Sequence, residues 1–170
     1  MAENFPGWLL GIYKFTYACP KRALALRIID RVSVVLSAAV FFTSVYFAFL
    51  RDIICAVQLV LLAAIPFALV SIMRLALKSK RPYEVVDFGE LTSRPPHYKL
   101  GSSFPSRHVF SAFLIAVLAF EFAPWLGVTG LLLGLALAFL RVVLGIHFPR
   151  DVICGALIGV VSGVIGMLIL

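Results

Sequence analysis

Charge is scarce in this chain: only 14% of its 170 residues are Asp, Glu, Lys or Arg, and eight acidic side chains stand against fifteen basic ones. Hydrophobic residues fill 62% of the sequence and the mean hydropathy is +1.07. That leaves too little polar surface to clothe a water-soluble globule, so the natural solvent is a bilayer. Long strands of alternating polar and apolar residues are also missing, and a helical bundle is then the architecture that satisfies backbone groups in hydrocarbon. The three cysteines, Cys19, Cys55 and Cys154, are odd in number and lack metal-ligand spacing, and we read them as structural filler. A net charge of +7 is not by itself a nucleic-acid footprint, because the basic residues lie between apolar segments and no aromatic-basic binding module accompanies them. The bilayer, anionic headgroups and phosphorylated substrates are the expected partners.

What is present divides into an N-terminal segment and five apolar runs. Residues 1–31 mix Trp8, Tyr13, Phe15 and Tyr17 with Lys14, Lys21, Arg22, Arg27 and Arg31, and are expected to form an amphipathic helix at the membrane interface. Residues 32–170 are expected to form one all-α integral membrane domain. Its runs at about 32–50, 53–73, 105–123, 126–144 and 150–170 each approach the ~20 residues needed to cross a bilayer. The tight Arg51-Asp52 junction makes the first two an antiparallel hairpin, and residues 74–104 form the main loop, in which His97 reads as a solvated residue. Gly155, Gly159 and Gly163 recur every four residues, and Gly130 and Gly134 do the same. Such faces suit close packing within the bundle, with a homodimer seam as the alternative use.

Three patches hold the unusual side chains, and five crossings put all three on one membrane face. Arg74, Lys78 and Arg81 are spaced by four and three, so a helix continuing past the membrane edge would stack them until Pro82 stops it. A basic collar snorkelling to headgroups would look the same. Pro105-Ser106-Arg107-His108 opens an apolar helix whose free backbone donors attract anions, although simple capping by Ser103 or Ser106 would also account for it. In the third patch, Arg141 precedes His147, Pro149 and Asp151. His147 and Asp151 are four apart, near enough for the carboxylate to bind one imidazole nitrogen and leave the other free to attack phosphorus. Each patch alone has an ordinary structural explanation. Together, arginines around two histidines and an aspartate match the needs of phosphoryl transfer: fixed cations for the phosphoryl oxygens, an in-line nucleophile and a proton for the leaving group. The same arginines would repel a metal ion, so neither a metal nor another cofactor is expected.

With these residues in place, the chain resembles the phosphatidic acid phosphatase type 2 superfamily. That family carries Lys, six residues, then Arg-Pro; here the segment is Arg74, six residues, Arg81-Pro82. Its Pro-Ser-Gly-His appears as Pro105-Ser106-Arg107-His108, and its Ser-Arg, five residues, His, three residues, Asp as Leu140-Arg141, His147 and Asp151. The resemblance implies that His147 becomes a phosphohistidine, Asp151 orients it and His108 protonates the leaving group. Arg74, Arg81, Ser106 and Arg141 would hold the phosphate, with Arg107 adding a backbone donor or a further clamp. Three departures stand out: Arg74 for lysine, Arg107 for glycine and Leu140 for serine. The family's usual six helices are also shortened here, with the amphipathic segment standing where a first span would be.

The expected activity is therefore hydrolysis of a phosphomonoester or pyrophosphate on a polyprenyl or glycerol lipid by a multi-pass protein of the cell membrane. A lipid phosphotransferase and a non-catalytic phospholipid-binding protein are the alternatives. The resemblance implies an extracytoplasmic site, whereas the basic residues 14–31 on the same side would call that side cytoplasmic; we adopt the former as the expectation.

Overall fold

The computed structural model describes residues 6–85 and 101–170. Among the described residues seven helices follow in order: α1 (Gly7–Tyr17), α2 (Pro20–Arg51), α3 (Ile53–Leu77), α4 (Pro82–Val85), α5 (Arg107–Ala119), α6 (Pro124–Val143) and α7 (Pro149–Met167). Proline stands at the start of α2, α6 and α7, where its missing N–H costs nothing and its fixed φ favours the first turn. Residues 86–100, including Phe88, His97 and Tyr98 of the main loop, lie outside the described residues, as do residues 1–5.

Among the described residues four helices, α2, α3, α6 and α7, are long and apolar enough to cross a membrane, and the shorter apolar α5 completes the expected five. The outer helices present large exposed apolar side chains such as Phe42, Leu69, Phe139 and Leu157, the surface expected of residues solvated by lipid. The α2–α3 hairpin turns at Asp52, whose carboxylate caps α3 by accepting from the Cys55 N–H at 2.7 Å.

Helix α5 is 13 residues long, a rise of ~20 Å against a ~30 Å hydrocarbon core, and is shorter than the run at 105–123 suggests. It is the axis of the bundle. Phe110, Leu114 and Leu118 pack with Ala48 of α2 and Leu59 and Val70 of α3, while Phe113 and Val109 pack with Leu137 of α6 and Val152 of α7. Enclosed by the other helices, α5 has no need to reach both lipid surfaces. The glycine faces of the sequence are used here. A Cβ on Gly159 would lie 2.5 Å from the Phe110 carbonyl oxygen, and one on Gly155 would lie 2.7 Å from that of Ser106. Only glycine lets α7 approach the α5 backbone so closely, which gives the Gly155–Gly163 stripe a role within the chain.

Two expectations are altered. The boundary at residues 31 and 32 falls inside α2, which runs unbroken from Pro20 to Arg51, and the separate N-terminal helix is the shorter α1. That helix is also held firmly: Leu9, Tyr13 and Tyr17 are buried against Tyr83, Val142 and Phe148. Nor does a helix continue through Lys78 to Arg81. α3 ends at Leu77 and Lys78 takes a left-handed conformation with φ of 43°. Pro82 disfavours helical geometry at Arg81 and offers no N–H to Lys78, so the chain turns instead. Lys78 is exposed while Arg81 is buried, and the expected cationic stack is broken at its middle residue.

Candidate active site

The three patches meet at one end of the bundle. Arg74, Arg81, Ser102, Arg107, His108, Arg141 and His147 line a cavity of about 160 Å³. Arg74 sits in the last turn of α3, Arg81 in the turn after it, Arg107 and His108 in the first turn of α5, Arg141 near the end of α6 and His147 just before α7. The α5 start contributes more than side chains, because the first-turn N–H groups of a helix have no acceptor within it and point outward.

The arginines are fixed by the backbone of the segment entering α5. Arg74 donates from one terminal nitrogen to the Pro105 carbonyl at 2.6 Å and from the other to the Ser102 carbonyl. Arg81 donates to the same Ser102 oxygen at 3.3 Å. One carbonyl thus gathers two guanidinium groups, and a guanidinium with five N–H donors keeps others for an anion. Below the turn, the Glu84 carboxylate accepts from the N–H groups of Arg81 at 3.2 Å and Gly101 at 3.0 Å, tying the two ends of the long connection together. The Arg107 guanidinium lies 5.6 Å from the centre of the Phe67 ring, a cation–π contact with α3.

At the third patch, Pro149 starts α7, and Asp151 occupies its third position with its carboxylate accepting from the Phe148 N–H at 3.0 Å. His147 Nδ1 is 3.7 Å from Asp151 Oδ2, beyond a direct hydrogen bond. Ser103 fills the gap: its hydroxyl donates to Asp151 Oδ2 at 2.5 Å and lies 3.3 Å from His147 Nδ1. The Asp151 carbonyl in turn accepts from the Ser106 N–H at 2.9 Å, so α5 and α7 are locked together at their starts. His147 lies outside the spanning helices, and burial pushes its imidazole down to about 4. The Asp151 carboxylate opposes that shift, and the guanidinium groups of Arg81 and Arg141 add to it. The imidazole is therefore neutral at physiological pH. The backbone N–H of His147 donates to the Arg141 carbonyl at 3.1 Å, which further fixes the residue.

Six of the eight residues singled out in the sequence border the cavity. Asp151 and Ser106 are fully buried and lie outside its lining, and the Ser106 hydroxyl has no hydrogen-bond partner among the described residues. Two important residues escaped the sequence reading. Ser103 appeared there only as a helix cap, and its link to Asp151 spans 48 positions, which no local pattern reports. Asp30, assigned to the interfacial segment, lies buried in α2 with Oδ1 2.8 Å from Arg141 Nε. Its signal was legible: it is the only acidic residue of a long apolar helix. Tyr17 also serves the site, donating its hydroxyl to the Leu144 carbonyl at 2.8 Å and bracing the turn that leads to His147.

The polar cavity adjoins apolar space. A second cavity of about 200 Å³ shares Arg107 and His108 with the first and is otherwise lined mostly by apolar residues, including Val34, Ala38, Phe67 and Leu137. A third, of about 330 Å³, adjoins the second at Phe67, Ser111 and Ile115 and extends along α2, α3 and α5 to Phe41 and Val60.

Known proteins resemble this chain in sequence or in fold. The bacitracin transport permease protein BcrC of Bacillus licheniformis is 40% identical over 65 residues, a match spanning 38% of this chain and 32% of that protein. Among solved structures, LpxE of Aquifex aeolicus superposes with a TM-score of 0.66 at 23% identity, covering 98% of each chain. The first transmembrane PAP2 type phosphatidylglycerolphosphate phosphatase from Bacillus subtilis gives 0.67 at 17% identity, covering 96% of this chain and 84% of its own. At these identities the two structures establish the fold. The PAP2 superfamily model matches residues 55–170, which contain all three patches, and this chain belongs to that superfamily.

Proposed function

We propose that this multi-pass membrane protein hydrolyses a phosphomonoester or diphosphate of a polyprenyl or glycerol lipid, through a phosphohistidine and without a metal ion. The observation that carries the reading is the junction of two cavities at His108 and Arg107: one cationic and sized for a phosphoryl group, the other apolar and open along the helices that face lipid. A phosphate ester with a long hydrocarbon tail is complementary to both at once.

In the first step, His147 is neutral and its Nδ1 edge faces Ser103 and Asp151, which leaves Nε2 to attack phosphorus. The bond from phosphorus to the lipid oxygen breaks, and His108 gives that oxygen a proton. In the second step, a water gives its proton back to His108 and attacks the phosphohistidine; the P–N bond breaks and inorganic phosphate is released. Arg74, Arg81, Arg107 and Arg141 stabilise the equatorial oxygens throughout. Four guanidinium groups around the phosphoryl site supply the charge that a cation otherwise would, and they disfavour a cation there. We place Ser106 as a support of the phosphate site, through the backbone at the start of α5.

We further propose that the site faces the extracytoplasmic side. Cys19, in the turn between α1 and α2, lies at the same end of the molecule as Leu144 and the cavity. A membrane-impermeant maleimide should label Cys19 in intact cells; labelling only after permeabilisation would reverse the orientation. For the activity, purified protein in chelator should release phosphate from phosphatidate, phosphatidylglycerophosphate, polyprenyl diphosphate or a polyprenyl phosphosugar, with inhibition by vanadate. Turnover retained in His147→Ala would remove the nucleophile. A phosphorylated acceptor lipid among the products would identify a phosphotransferase, and binding with no turnover on any of these lipids would leave a binding protein.

A further inference from the structure

Asp30 is an acidic side chain placed where it is expensive. It lies in the N-terminal half of α2, between Arg27 and Arg31, and is only 4% exposed. A carboxylate there needs a partner. The hydroxyls one turn and two turns further along the helix do not supply one: Ser33 donates to the Ile29 carbonyl at 2.8 Å and Ser37 to that of Ser33 at 2.8 Å. The partner is Arg141, whose Nε lies 2.8 Å from Asp30 Oδ1, with both side chains buried.

The edge of the guanidinium that meets Asp30 matters. A carboxylate gripping the end of the fork would occupy the terminal nitrogens and compete with a phosphate for them. The close contact here is at Nε, beside the fork, and the same guanidinium group belongs to a residue that lines the cavity. The backbone of Arg141 is tied to the same place, because its carbonyl accepts from the N–H groups of Ile146 at 3.0 Å and His147 at 3.1 Å. None of the three patches contains α2. Through Asp30 it nevertheless reaches the site.

We infer that Asp30 is a positioning residue that fixes the Arg141 guanidinium for oxyanion binding, a fourth segment of the active site. This rests on the phosphoryl-binding reading of the cavity, and it acts through Arg141 alone.

The test is a double-mutant cycle on the full-length protein purified in detergent, comparing wild type, Asp30→Asn, Arg141→Ala and the double variant. The readouts are kcat and KM for lipid phosphate release and the affinity for vanadate, each on protein that remains monodisperse on gel filtration. Asp30→Asn is expected to weaken vanadate binding and lower kcat/KM by about tenfold or more in the wild-type background, and to change neither when Arg141 is already Ala. Asp30→Glu, which keeps the charge and lengthens the reach, serves if Asp30→Asn does not fold; it is expected to show a smaller loss with the same dependence on Arg141. Equal losses in both backgrounds, or unchanged kcat/KM and vanadate affinity in a folded Asp30 variant, would overturn the assignment. Wild-type protein that binds vanadate but hydrolyses no lipid would sink the catalytic reading, while the vanadate cycle would still decide the role of Asp30.

Discussion

The two ends of the bundle use the same chemistry under opposite conditions. At the end bearing the cavity, Arg141 and Asp30 form an ion pair at 2.8 Å with both side chains buried. At the far end, Arg51 and Glu121 pair at 3.1 Å, with side chains 47% and 34% exposed, and Arg51 also donates to the Glu121 carbonyl. Removing one partner from a buried pair strands the other charge, at a cost of ~3–5 kcal/mol, whereas an exposed pair contributes ~0–1 kcal/mol. The far end can therefore change at little cost, while the site end is held by contacts whose loss is costly. That is the arrangement expected where cations must keep their places before an anion arrives.

The largest effect should come from the site end. Arg141→Ala is expected to lower kcat/KM for phosphate release on the order of 10²–10³-fold, with reduced thermal stability from the stranded Asp30, both measured on detergent-purified protein. Ser103→Ala should come next, at roughly tenfold or more in kcat with little change in KM, because it removes the hydroxyl between His147 Nδ1 and Asp151 while leaving the cationic cavity intact. A rise in KM alone would place Ser103 in substrate binding instead.

The cation field around His147 is tested by pH. Protonated His147 cannot attack, so activity is lost as pH falls through its pKa, and that pKa is pushed down to about 4 by burial first and then by positive charge that includes Arg81. Arg81→Gln removes that charge, so the acid limb of kcat/KM should move to higher pH. Measuring both proteins on one substrate cancels the substrate's own ionisation. A limb that stays in place would mean another group controls it. The smallest effect belongs to the far end: Arg51→Ala should leave kcat/KM unchanged and cost no more than ~1 kcal/mol of stability. A loss of activity there would erase the contrast between the ends.

Much of this arrangement was legible before the structure. The five apolar runs, the Arg51-Asp52 hairpin and the gathering of three junctions at one face follow from hydropathy and crossing number, and Pro105, Pro149 and the glycine stripe marked where helices start and pack. The misreadings have physical causes. Periodicity carried the helix from Arg74 to Arg81, but the conflict between Pro82 and the last turn ended it at Leu77. The spacing of His147 and Asp151 suggested direct contact, but His147 precedes the helix that carries Asp151, and Ser103 enters from a distant segment. Asp30 was read with its basic neighbours as interfacial, because its pairing with Arg141 depends on how α2 packs against α6, which composition does not report.

The most direct measurement is to trap the phosphorylated protein. Incubating it with a lipid substrate labelled in the scissile phosphate, quenching in alkaline detergent and mapping the label by mass spectrometry should place an alkali-stable, acid-labile phosphate on His147, with none in His147→Ala. Full turnover with no phosphorylated protein at any time, or a label on a different residue, would contradict nucleophilic attack by His147.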